Sequence, residues 1–104
     1  MTQKTKIKME KEMEKFTKQF GEKYGLTPER IEFFKAELPK FAEKVFEKGI
    51  DLNKELWNFI DEYKSKGLGG FNATYGNIYD WLIDFAALLL GVDAFELRSS
   101  VVYK

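Results

Sequence analysis

The chain has no cysteine and no histidine. The first absence excludes disulfides and thiolate chemistry. The second removes the side chain most often used as general base, proton shuttle or zinc ligand. Proline is scarce, with only Pro28 and Pro39 in 104 residues. The most apolar run, Trp81 to Val92, is about 12 residues long and contains Asp84, against about 20 needed to span a bilayer. The opening MTQKTKIKMEKEMEK has no apolar centre and does not read as a secretion signal. Neither charge sign prevails: Lys plus Arg and Asp plus Glu both number 17, which gives no bulk attraction to nucleic acid or to an anionic membrane. Together these features lead to the expectation of a cytoplasmic protein with no membrane partner, no cofactor, no metal and no catalytic activity.

The charge is not evenly spread. Residues 1–25 carry seven Lys against four Glu, whereas residues 68–104 carry Arg98 and Lys104 against Asp80, Asp84, Asp93 and Glu96. A basic start and an acidic end suit contacts between copies. Aromatic residues make up 16% of the chain, and ten of them are Phe. Each ring brings a large area to bury, so a phenylalanine-rich core is expected.

Periodicity predicts an all-α single domain over 1–104, a compact bundle of four main helices plus a short C-terminal one. The first spans about 4–24 on a narrow stripe of Met9, Met13, Phe16, Phe20 and Tyr24. The second spans about 28–48, with Thr27 as N-cap, Pro28 at the first helical position and Ile31, Phe34, Leu38, Phe41 and Val45 inward. Pro39 deletes one backbone bond inside it and is expected to kink it. The third, about 51–66, is capped by Asp51 and faces inward through Leu52, Leu56, Phe59, Ile60 and Tyr63. The fourth, about 77–90, is apolar nearly all round and reads as the buried centre. Between these two lies KGLGGFNATYGN, which is too glycine-rich to predict as helix. Asp93 is placed to cap the last helix, AFELRSS; the closing VVYK is β-prone with no second strand to pair with.

The segment GLTPERIEFF poses the main functional choice. Gly21, Gly25, Leu26, Ile31 and Phe34 match the pattern of a helix, a glycine turn and a second locked helix. From Phe20 to Leu38 the chain resembles the general helix-turn-helix family. That resemblance implies a DNA-binding regulator working through Gly21 to Leu38, with Lys11, Lys15, Thr27, Arg30 and Lys35 as contacts. The outer face of the second helix argues against it, because Glu29, Glu32 and Glu37 would face a polyanion. Nor does GLGGFN hold a phosphate: Asn72 stands where the dinucleotide fingerprint needs glycine, and the Gly-Lys-Ser/Thr ending of the nucleotide loop is missing. Asp80 and Asp84 share a helix face and read as a solvent strip rather than a catalytic or metal pair.

The surplus of rings carries the functional reading. Phe33, Phe46 and Trp57 lie beside the main stripes, and Phe71, Tyr75, Tyr79 and Trp81 cluster in and after the glycine-rich segment. Rings left at a surface mark contact sites. The expected function is therefore a non-catalytic interaction or assembly protein whose partner is a protein, itself or another, met through Phe33, Trp57, Phe71, Tyr75, Tyr79 and Trp81, with self-association as a homodimer the leading form.

Overall fold

Thr27 has an extended backbone, and its hydroxyl accepts the amide of Arg30 at 3.2 Å. This opens a helix at Pro28, where the missing N–H has no intrahelical partner to lose. Asp51 opens a later helix in the same way, its carboxylate accepting the amide of Lys54 at 3.2 Å. A computed structural model describes residues 3–69 and 72–102, with side chains from 7 to 69 and 74 to 101. It comprises α1 (Gln3–Tyr24), α2 (Pro28–Val45), α3 (Leu52–Ser65), α4 (Asn72–Leu90) and α5 (Ala94–Val102). The described residues form no strand. The radius of gyration, 13.1 Å, matches the roughly 13 Å of a compact chain of this length.

Three boundaries depart from expectation. Helix α2 ends at Val45, three residues early, because the Phe46 and Glu47 amides turn back to Glu43 and Lys44 and tighten the last turn. Helix α4 begins at Asn72 rather than Asn77 and carries Gly76 in its interior. Thr74 is buried beneath this first turn, and the Tyr75 ring lies 6.3 Å from that of Tyr63. Such packing offsets the roughly 1 kcal/mol that an interior glycine costs a helix. Finally, Asp93 caps α5 through the amide of Glu96, and α5 continues through Val101 and Val102. Val101 buries itself in the core, so the first two residues of the β-prone ending are helical; Tyr103 and Lys104 lie outside the described residues.

Helix α4 touches each of the other four helices. Its Ile78, Leu82, Ile83 and Ala86 are almost wholly buried, as a helix apolar on most sides requires. Helix α2 lies between α1 and α3 and keeps its register through Pro39 without interruption. Phe34 meets Phe16 and Phe20 of α1 at ring distances of 5.2 and 4.9 Å. Phe33 meets Phe59 and Tyr63 of α3 at 5.3 and 5.6 Å. Most of these pairs are edge-to-face, each worth about 0.5–1.5 kcal/mol beyond the area it buries. Phe33 was expected at the surface and is only 6% exposed. A single inward stripe serves one neighbour, whereas α1 and α3 flank α2 on two sides and bury two adjacent positions.

Gly25 adopts the left-handed conformation, φ +82°, and its amide returns to the Gly21 carbonyl at 2.9 Å. A Cβ on Gly21 would fall 2.7 Å from Leu26 Cγ. The small residue before the turn is thus the space into which Leu26 folds back over α1. Arg30 closes this corner. Its guanidinium donates to the carbonyls of Tyr24 at 2.8 Å, Gly25 at 3.0 Å and Leu68 at 3.1 Å, and it lies 5.4 Å over the Phe20 ring. One side chain joins the end of α1, the start of α2 and the segment after α3.

Beside Arg30 the Tyr63 hydroxyl is buried without a hydrogen-bond partner among the described residues. Burial pushes its pKa up, and the neighbouring guanidinium pulls the other way. Arg30→Ala removes three charge-assisted hydrogen bonds and is expected to cost about 2–3 kcal/mol in urea unfolding. Tyr63→Phe removes only the unpaired hydroxyl and is expected to leave stability unchanged or raise it by about 1 kcal/mol in the same assay.

Candidate protein-contact surface

The six rings expected at a contact surface separate by position. Tyr79 joins Phe33 in the core, at 9% exposure. Tyr75 and Trp81 are half-buried: Tyr75 lies under the Lys64 ammonium at 5.0 Å, and Trp81 packs 6.1 Å from Phe16 and 6.2 Å from Phe20. Phe71 lies outside the described residues. Among the described rings of the set, Trp57 alone stands well into solvent, 48% exposed.

Trp57 is nonetheless held. Its ring centre is 5.4 Å from that of Tyr79. The Tyr79 hydroxyl donates to Asn53 Oδ1 at 2.8 Å, and Asn53 stands one turn before Trp57 on α3. Burial raises the Tyr79 pKa, while nearby Arg98 draws it down. Arg98 in turn pairs with Asp80 at 3.3 Å, with both side chains about half exposed. Helices α3, α4 and α5 thus bring together a fixed indole, the edge of a tyrosine and two opposite charges. Asn53 also lines a groove of about 380 Å³ walled by Val45, Ile50, Leu52, Leu90 and Leu97.

Sequence reasoning missed Phe95, which is 78% exposed on α5. The signal was present. A helix of nine residues buries one stripe, here Leu97 and Val101, and Phe95 falls off that stripe, on the side of Arg98 three residues later. Leu90 and Val92 are exposed where α4 gives way to the turn at Gly91.

Of the five residues expected to touch DNA, two are engaged inside the fold. The Thr27 hydroxyl caps α2, and all three bonds of the Arg30 guanidinium go to backbone carbonyls. Lys11, Lys15 and Lys35 are exposed, but Glu29 and Glu32 are exposed on α2 as well. Gly69, in the segment after α3, sits close against the protein itself, since a Cβ there would lie 3.4 Å from Arg30 Nη2; Gly70 and Phe71 lie outside the described residues.

Asp80 and Asp84 remain on the outer strip of α4, one paired with Arg98 and the other exposed. No group of three or more carboxylate, histidine or cysteine side chains able to hold a metal occurs among the described residues. No helix among them is long and apolar enough to cross a membrane. Comparison with known proteins finds no matching family model, no matching curated protein and no matching solved structure.

The Asp84 carboxyl is pushed above its ordinary range, first by partial desolvation and then by Asp80, with Lys15 and Arg98 opposing. A raised folded-state pKa means that the folded chain binds more protons than the unfolded one between the two values. Stability therefore falls as pH rises from about 3.8, the ordinary aspartate value, through the raised one. Asp84→Asn, which cannot ionise, is expected to abolish this component. Urea unfolding at a series of acid to neutral pH values should show the variant gaining on the parent as pH rises through that window.

Proposed function

We propose that this chain is a non-catalytic interaction protein that self-associates through the α3–α4–α5 face centred on Trp57. The observation that carries the reading is a half-exposed indole packed on the Tyr79 ring, whose hydroxyl is anchored to Asn53. A fixed aromatic ring loses little conformational freedom on binding, and Trp, Tyr and Arg are the residues that dominate interface energetics. All three meet here.

The face also suits a copy of itself. It carries both signs of charge side by side, Asp80 and Arg98, so a two-fold axis places Arg98 of one protomer against Asp80 of the other. A two-fold contact requires such self-complementarity. With a formal net charge of zero, two copies approach without long-range repulsion. A standard interface takes about 800 Å² from each partner, roughly an eighth of the 6749 Å² that the chain exposes. Trp57, the adjoining groove and Phe95 supply apolar surface for it.

Light scattering over a concentration series tests the reading, with twice the monomer mass expected at the upper end. Trp57→Ala is expected to weaken association by about 2 kcal/mol, near thirtyfold in dissociation constant. In a Trp81→Phe background, the remaining indole emission should shift to the red on dilution. A monomer mass at the highest soluble concentration would overturn the proposal.

A further inference from the structure

A second surface lies away from this face. Helices α1 and α2 diverge from the glycine corner and leave an open groove of about 530 Å³ between them. Its floor is apolar, formed by Met13, Leu26, Ile31, Phe34 and Leu38. Leu26 is 43% exposed at one end, and Ile7, one turn before Glu10, is exposed beyond the other. None of these residues belongs to the Trp57 face.

The rim is polar and ordered by sign. Glu10 and Glu14 edge the end away from the corner, whereas Lys18 and Lys35 edge the end towards it. None of the four is in an ion pair among the described residues. The groove is thus a short apolar track with a negative end and a positive end.

We infer that this groove docks an amphipathic helix of a partner protein. The helix lies along α1 in the same direction, with basic residues in its first turn and acidic residues in its last. Three physical arguments select this occupant. First, the walls are helices whose backbone groups are already bonded to one another. An extended peptide would press unpaired amides and carbonyls onto an apolar floor, while a helix satisfies its own. Second, Glu10 to Lys18 spans about 12 Å of α1, matching two to three turns of a guest that anchors through i, i+3 or i+4, and i+7. Third, the rim charges fix the direction. The positive end of the guest's dipole and its basic side chains meet Glu10 and Glu14, and its negative end meets Lys18 and Lys35.

The test uses the full chain and fluorescein-labelled synthetic 16-residue peptides with one leucine stripe. One peptide carries lysines in the first turn and glutamates in the last; a second carries lysines at both ends; a third is a scramble without the stripe. Fluorescence anisotropy is expected to rank the first peptide about tenfold tighter than the second, a few rim pairs at fractions of a kcal/mol each. No binding is expected of the scramble. Leu26→Asp should abolish binding while circular dichroism shows the fold intact. The Lys18→Glu, Lys35→Glu double variant makes the whole rim acidic and should reverse the ranking in favour of the all-lysine peptide.

The Trp57→Ala chain should bind the first peptide as the parent does, which separates this site from the self-association face. The inference is overturned if no peptide binds saturably or if Leu26→Asp leaves binding intact. An unchanged ranking with the double variant overturns it as well. So does a peptide that dissociates the parent dimer, since the occupant would then be a second copy.

Discussion

The Phe34 ring sits where three helices converge, touching Phe16 and Phe20 of α1, its own neighbour Phe33, and Phe59 and Tyr63 of α3. The interior of this small protein is largely a set of rings that must meet edge to face or offset, within narrow limits of distance and angle. That geometric demand fixes how α1 and α3 flank α2. It also fixes what each helix turns outward. Helix α3 packs through Leu56, Phe59, Ile60 and Tyr63, leaving Trp57 on its outer side. Helix α1 packs through Phe16 and Phe20 and diverges from α2 elsewhere, and Phe34 itself floors the resulting groove.

Polar groups reinforce this arrangement at a few points. Arg30 is the chief one, since three carbonyls at or just beyond helix ends accept from a single guanidinium. Those carbonyls belong to segments just past helix ends, where acceptors lack intrahelical partners. Asn77 bonds the Tyr24 hydroxyl and fastens the first turns of α4 to the end of α1. The surface ion pairs, Lys40 with Glu37, Lys44 with Glu47 and Arg98 with Asp80, are exposed and contribute little to stability. Their value lies in patterning charge on the surface.

That surface offers two different invitations. The Trp57 face is mixed in sign and carries the side chains that most often anchor interfaces. The α1–α2 groove is concave, apolar and polarised along its length. Both surfaces are derived from the same ring-packed core.

Helix number, type and approximate extent followed from residues in sequence: Thr27 with Pro28, Asp51, Asp93 and the glycines at 25, 67 and 91 mark ends by local chemistry, whereas α2 stops at Val45, short of Gly49. The buried role of α4 was equally legible, because an apolar residue on every side leaves a helix no other place. The helical path of residues 72–76 was hidden, because Gly76 opposes it locally and only the packing of Thr74 and Tyr75 repays it. The fate of individual rings was hidden too. Phe33 and Trp57 both lie off their helix stripes, yet the first is enclosed and the second exposed. Arg30 looked like a side chain for phosphates and became a tie between loops. Periodicity within one helix determines which face turns inward, but the number of neighbours on that face depends on how all five helices pack, and no single segment contains that information.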